Sequence, residues 1–135
     1  MNRIALITGA TSGIGEACAR KFAGSDYDLV LTGRNKEKLE AMKAELEGVE
    51  VTTLAFDVRD RKAAQEALDS LTGRWRDIDV LVNNAGLALG LDKEFEGDID
   101  EWSTMIDTNI KGLLTMTRLV VPHICLLYTS DAADD

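Results

Sequence analysis

Four near-continuous apolar runs alternate with stretches of helical spacing: RIALIT at 3–8, DLVLT at 28–32, VTTLAF at 51–56 and IDVLV at 78–82. This alternation limits the fold more than any other feature of the chain. A strand wetted on one face alternates apolar and polar residues, whereas an unbroken apolar run is expected to be covered on both faces. Parallel strands need crossover connections, and right-handed crossovers distribute their helices over both sides of one sheet. The order β-α-β-α-β-α-β-α therefore predicts an α/β fold with a doubly wound parallel sheet, reaching the fourth strand and the helix that follows it.

The spacing between the strands specifies the helices. Residues 13–22 place Ile14, Cys18 and Phe22 four apart on a predicted inward face, and Gly24-Ser25-Asp26 marks the stop. The second helix carries Leu39, Met42 and Leu46 as its stripe and Lys36, Glu37, Lys38, Glu40 and Lys43 on its wet face, with Gly48 beyond its end. The third, over 60–72, turns Ala64, Ala67, Leu68 and Leu71 inward, with Asp60 as N-cap. A loop over 86–97 leads to the last helix, 99–121. Asp98 and Glu101 stand at capping-box spacing before it, Met105, Ile106, Ile110 and Leu113 are expected to pack, and Pro122 is expected to break it.

Composition removes several functional classes. Net charge is −9, from 24 acidic and 15 basic side chains, which gives no support for a nucleic-acid partner. Cys18, Cys125 and His123 have no metal-ligand spacing, so no metal is expected. No apolar run approaches the roughly 18 residues of a membrane span. The N-terminus runs directly into a strand without signal-peptide architecture, and a cytoplasmic location is the expectation.

The turn after the first strand reads TGATSGIG at 8–15. It lies between a strand and a helix, where a glycine-rich turn brings backbone N–H groups and the positive end of a helix to a pyrophosphate. Its glycines, Gly9, Gly13 and Gly15, do not follow the strict G-x-G-x-x-G spacing, and no Gly-Lys-Ser/Thr follows, which argues against an ATPase. Thr11 and Ser12 add hydroxyl donors. The second strand ends in Thr32-Gly33-Arg34, where an NAD site would place an acid for the ribose hydroxyls. Arg34 instead suits a 2′-phosphate, through a forked pair of hydrogen bonds, and favours NADP. Asp57 closes the third strand at the same sheet edge, where it is placed either to accept a bond from an adenine amino group or to cap a turn. The fourth strand runs into VLVNNAG at 80–86. Two amides at a strand's carboxyl end can satisfy broken ladder groups, at the edge where ligands bind in such sheets.

TGATSGIG at 8–15, GR at 33–34, DV at 57–58, NNAG at 83–86 and Asn109 in MIDTNIKG together resemble the short-chain dehydrogenase/reductase family, over about residues 2–124. VLVNNAGLALGL and EWSTMIDTNIKGLL are similar, within it, to NADP-dependent 3-hydroxy acid dehydrogenases. The resemblance implies a Rossmann-like domain and an NADP-dependent oxidoreductase that interconverts a 3-hydroxy acid, such as serine or allo-threonine, and its ketone by hydride transfer. It implies cofactor contacts at Gly9, Ala10, Thr11, Ser12, Gly13, Ile14, Gly15, Arg34, Asn35, Asp57, Val58, Asn84, Ala85 and Gly86. Asn83 would bond sheet backbone. Asn109 would hold a water in the proton relay of the catalytic helix, and the whole protein would be a homotetramer. A 3-oxoacyl-thioester or sugar reductase and a non-catalytic nucleotide-binding module are the alternatives.

The family's chemistry uses Ser with a Tyr-x-x-x-Lys pair, and this chain has neither Tyr27 nor Tyr128 followed by such a lysine. Its last residues, CLLYTSDAADD, resemble translated sequencing-adapter sequence. The expected organisation is a partial NAD(P)-binding domain at 1–124 and a non-native or disordered tail at 125–135.

Overall fold

The computed structural model describes residues 1–86 and 97–124; the tail beyond 124 lies outside the described residues. Four parallel strands, β1 (Ile4–Ile7), β2 (Asp28–Gly33), β3 (Val51–Ala55) and β4 (Val80–Val82), lie in the order β3-β2-β1-β4. β1 is flanked on both sides, pairing Ile4 with Asp28 on β2 and Ala5 with Val80 on β4. The chain winds outward from β1 to β3 and then returns to the far side of β1. This makes the carboxyl ends of β1 and β4 a topological switch point, the place where such sheets bind ligands.

Side-chain alternation on β1 divides the core in two. Ile4 and Leu6 face a layer built by α3 (Arg61–Asp69) and α5 (Leu113–Val120), including Ala64, Met116 and Val120. Ala5 and Ile7 face the layer of α1 (Gly13–Gly24) and α2 (Lys36–Glu45), including Ala19, Leu39 and Met42. Every residue of β1 and most of β2 is buried, which explains the unbroken apolar runs. Side chains cap the starts of α2 and α3: Asn35 Oδ1 accepts the Lys38 N–H at 3.1 Å and Asp60 Oδ1 the Ala63 N–H at 3.0 Å.

Two packing expectations are corrected. Ile14 is not on the buried face of α1 but 74% exposed; Gly15 and Ala19 point inward, with Cys18 and Phe22 half-buried. The helix is rolled so that its glycine, rather than a branched side chain, meets the β1 turn. The expected helix over 99–121 is continuous but not uniformly α. It comprises α4 (Ile99–Ile106), a π-helical turn over Asp107–Gly112, and α5. Ile106, Ile110 and Leu113, expected to pack, are exposed, because among the described residues no element covers that face. Asp98 does cap α4, accepting the Asp100 N–H at 2.8 Å.

At the amino edge of the sheet, Asp28 is buried and gathers three donors: the Glu50 N–H at 2.9 Å, the Asn2 amide at 3.2 Å and the Arg74 guanidinium. Burial opposes the charge, but these donors outweigh it and hold the carboxyl below its ordinary range. No described helix is long and apolar enough to cross a membrane.

Candidate functional site

A cleft of about 710 Å³ opens at the carboxyl ends of β1, β2 and β3, a volume suited to a small ligand. Its floor is the glycine turn. Gly9 has φ +61°, and a Cβ there would lie 2.9 Å from the Ala85 Cα. At Gly15 a Cβ would lie 2.0 Å from the Gly9 carbonyl oxygen and 2.5 Å from Asn84 Nδ2. The absence of these two side chains lets the turn, the start of α1 and the end of β4 close on one another. The turn's backbone thereby forms the floor of the cleft.

The corner after β4 is held by a residue whose function the sequence does not reveal. Thr8 is buried, and its hydroxyl accepts the N–H groups of both Asn84 and Ala85 at 2.9 Å. Asn84 Nδ2 donates in turn to the Gly9 carbonyl at 3.1 Å. Asn83 Nδ2 donates to Thr117 Oγ1 at 3.0 Å, so it ties the strand end to α5 rather than to sheet backbone as expected. The two asparagines thus brace the corner from opposite sides, and Ala85 and Gly86 form a thin wall of the cleft.

Of the residues singled out from sequence, Gly9, Thr11, Ser12, Arg34, Asn35, Asp57, Val58, Ala85 and Gly86 line the cleft. Ala10 is fully buried and donates its N–H to the Thr32 carbonyl at 3.1 Å, a supporting position behind the turn. Gly13, Ile14, Gly15 and Asn84 shape the turn without lining the cleft. Asn109 sits in the π-helical turn, exposed, close enough to Gly86 that a Cβ there would be 3.4 Å from its Oδ1. Its neighbour Thr108 lines the cleft. A π-helical turn inside an α-helix often marks a functional position, and this one puts the NNAG wall beside Asn109.

Asp57 is engaged by Arg59. Its Oδ1 accepts the Arg59 N–H at 2.9 Å, and its Oδ2 accepts Nε at 3.0 Å and Nη2 at 2.7 Å. The Arg59 bond holds the carboxyl below its ordinary range against partial desolvation. In contrast, Arg34, Lys36 and Lys38, which also line the cleft, form no ion pair among the described residues. The lysines read as a solvated helix face in the sequence; only the packing of α2 beside β2 brings them to the cleft. Thr32 lines it too, and its buried hydroxyl has no partner among the described residues. No group of His, Cys, Asp and Glu able to hold a metal occurs among the described residues.

Comparison with known proteins gives a consistent result. The family model described as short chain dehydrogenase matches residues 3–131. The NADP-dependent 3-hydroxy acid dehydrogenase YdfG of Salmonella typhi is 54% identical over 119 residues, which are 88% of this chain and 48% of that protein. Sulfoacetaldehyde reductase 2 of Chromohalobacter salexigens is 50% identical over 125 residues, 92% of this chain and 50% of that protein. The solved closed form of serine dehydrogenase complexed with NADP+ superposes with a TM-score of 0.85 at 48% identity, covering 89% of this chain and 48% of that one. The chain spans about half the length of the curated relatives it matches.

Proposed function

The chain belongs to the short chain dehydrogenase family, and on that premise we propose that it forms the adenosine-binding half of an NADP-dependent oxidoreductase that interconverts a 3-hydroxy acid and its 3-oxo form. The observation that carries this reading is the cleft at the switch point of the sheet, floored by a turn that tolerates no Cβ at Gly9 or Gly15 and fringed by Arg34, which forms no ion pair among the described residues. That cradle fits a dinucleotide. Backbone N–H groups from Gly9 to Gly15 and the start of α1 would hold the pyrophosphate. Arg34, with Asn35 beside it, would take the 2′-phosphate. Asp57 and Val58 lie where the adenine edge would be read, and Ala85 and Gly86 keep the wall thin along the ribose.

Bound NADP supplies the hydride acceptor and donor. On this reading Asn109, whose Oδ1 would lie 3.4 Å from a Cβ at Gly86, would hold a water for the proton side of the reaction. The domain spans 1–124 in this reading. The exposed stripe of Ile106, Ile110 and Leu113 supports a homotetramer of the whole protein.

The test is to express the whole reading frame and follow NADP+ reduction with serine and other 3-hydroxy acids. NADP+-linked oxidation of these acids is expected. Activity only with NAD+, or with none of them, would overturn the reading. The match to a sulfoacetaldehyde reductase supports a second one, in which the same cofactor half serves reduction of a sulfonated aldehyde. Sulfoacetaldehyde offered with NADPH separates the two.

A further inference from the structure

We propose that Arg59 is a positioning residue for adenine. Its guanidinium fork sets the plane of the Asp57 carboxylate and leaves one acceptor position toward the cleft. The site thereby takes a 6-aminopurine and rejects a 6-oxopurine; this rests on the NADP reading above. Asp57 lines the cleft, whereas Arg59 does not. Arg59 gives the carboxylate three N–H groups. Its backbone N–H donates to Oδ1 at 2.9 Å, its Nε–H is shared between Oδ1 at 3.1 Å and Oδ2 at 3.0 Å, and its Nη2 donates to Oδ2 at 2.7 Å. A carboxylate has about four acceptor positions, so three donors from one residue leave one.

The turn after β3 does not need the fork. Asp57 Oδ1 and the Arg59 backbone N–H close an Asx turn, and any residue except proline at 59 would supply that N–H. The backbone is fixed independently: the Phe56 N–H donates to the Gly33 carbonyl and the Asp60 N–H to the Asp57 carbonyl, both at 2.9 Å. What these bonds leave loose is rotation of the carboxylate, a broad torsion, and the fork stops it. The Asp107 carboxylate in the π-helical turn also attracts the Arg59 guanidinium, and Val58 packs against Gly112 in that turn. The Arg59 bond further keeps Asp57 ionised. An ionised carboxylate only accepts, so it pairs with the amino group of adenine and is repelled by the carbonyl oxygen that hypoxanthine carries at the same position.

The experiment is equilibrium titration of the protein expressed from the whole reading frame, with NADP+ and with its hypoxanthine analogue. It compares the parent with Arg59→Met, Arg59→Lys, Asp57→Asn and the Arg59→Met/Asp57→Asn double variant, with circular dichroism verifying each fold. The readout is the ratio of the two dissociation constants, which a general loss of packing does not move. The parent is expected to prefer NADP+ at least about tenfold, the size of one hydrogen bond to a charged group. Arg59→Met and Arg59→Lys both lose the fork, and each is expected to lower the ratio about three- to fivefold. Asp57→Asn should abolish the preference, and the double variant should match it. If the parent binds neither dinucleotide, the NADP reading fails and this inference with it. If the parent binds both equally well, or if the Arg59 variants weaken both by the same factor, the NADP reading stands and the role of Arg59 is overturned. An undiminished ratio in Arg59→Lys overturns the fork, because charge alone would then suffice. A further change in the ratio when Arg59→Met is added to Asp57→Asn also overturns the inference, because Arg59 would then act without Asp57.

Discussion

At the scale of single residues, the site depends on one side chain that is absent and one that is buried. A Cβ at Gly15 meets the backbone oxygen of Gly9 at 2.0 Å, and backbone cannot swing aside. Gly15→Ala is therefore expected to cost more than about 2 kcal/mol, at the severe end of point-substitution effects, and to abolish dinucleotide binding; urea unfolding and NADPH titration measure the two. Thr8→Val keeps the shape but removes the acceptor of two backbone N–H groups. The Asn84 N–H keeps its bond to the Val82 carbonyl at 3.0 Å, so the Ala85 N–H is the group left unsatisfied. This is expected to cost about 1–3 kcal/mol, again read by urea unfolding, and Thr8→Ser should restore most of it. The glycine was legible in the sequence because its turn stands between a strand and a helix. The threonine's role was not, because its partners lie 76 and 77 residues away and no local spacing announces them.

At the scale of elements, the π-helical turn is docked on the end of β3 by a contact that also requires a missing Cβ. At Gly112 a Cβ would stand 2.7 Å from Val58 Cγ2. Gly112→Ala is expected to destabilise the fold by about 1–3 kcal/mol through overpacking, and Val58→Ala by a comparable cavity term. The double variant should lose clearly less than the sum, because the new methyl takes the space vacated; a double-mutant cycle by urea unfolding gives the coupling. If the losses simply add, the contact is not what holds the turn. Apolar spacing over 99–121 revealed a helix, but not the extra residue per turn around Asn109, since π and α turns share the same residue types. Spacing also put Ile14, Ile106 and Ile110 inward, yet it registers only that a face is apolar. What lies against that face is set by the rest of the molecule.

At the scale of the whole molecule, alternating buried strands made the doubly wound sheet legible, while the strand order and the charge network required coordinates. Arg74 reaches Asp28 on β2 and Glu50 just before β3, and so ties the amino edge of the sheet. The Asp28 carboxyl lies lower in the folded chain than in the unfolded one, where it sits near about 3.9. The unfolded chain then binds the proton first, so the contribution of Asp28 is complete above about pH 5 and is lost as pH falls toward its folded value. Asp28→Asn is expected to be less stable than the parent at neutral pH, with the gap closing below about pH 4; urea midpoints from pH 3 to 7 test this. A gap independent of pH would show that the loss comes from shape rather than charge.

The placement of β1 between β2 and β4 has a consequence in time. β1 meets β2 across a short, local connection, but its pairing with β4 must wait for some 75 further residues to be synthesised, as the Asn84–Gly9 bond records. Closing the longer loop costs more chain entropy, and distant strand pairs are late to form. The NNAG wall is therefore expected to close late during folding. Amide exchange at Asn84 and Ala85 should accordingly outpace that at Leu6 and Val30, and a nucleotide held at that wall would act as a latch on a late step of folding.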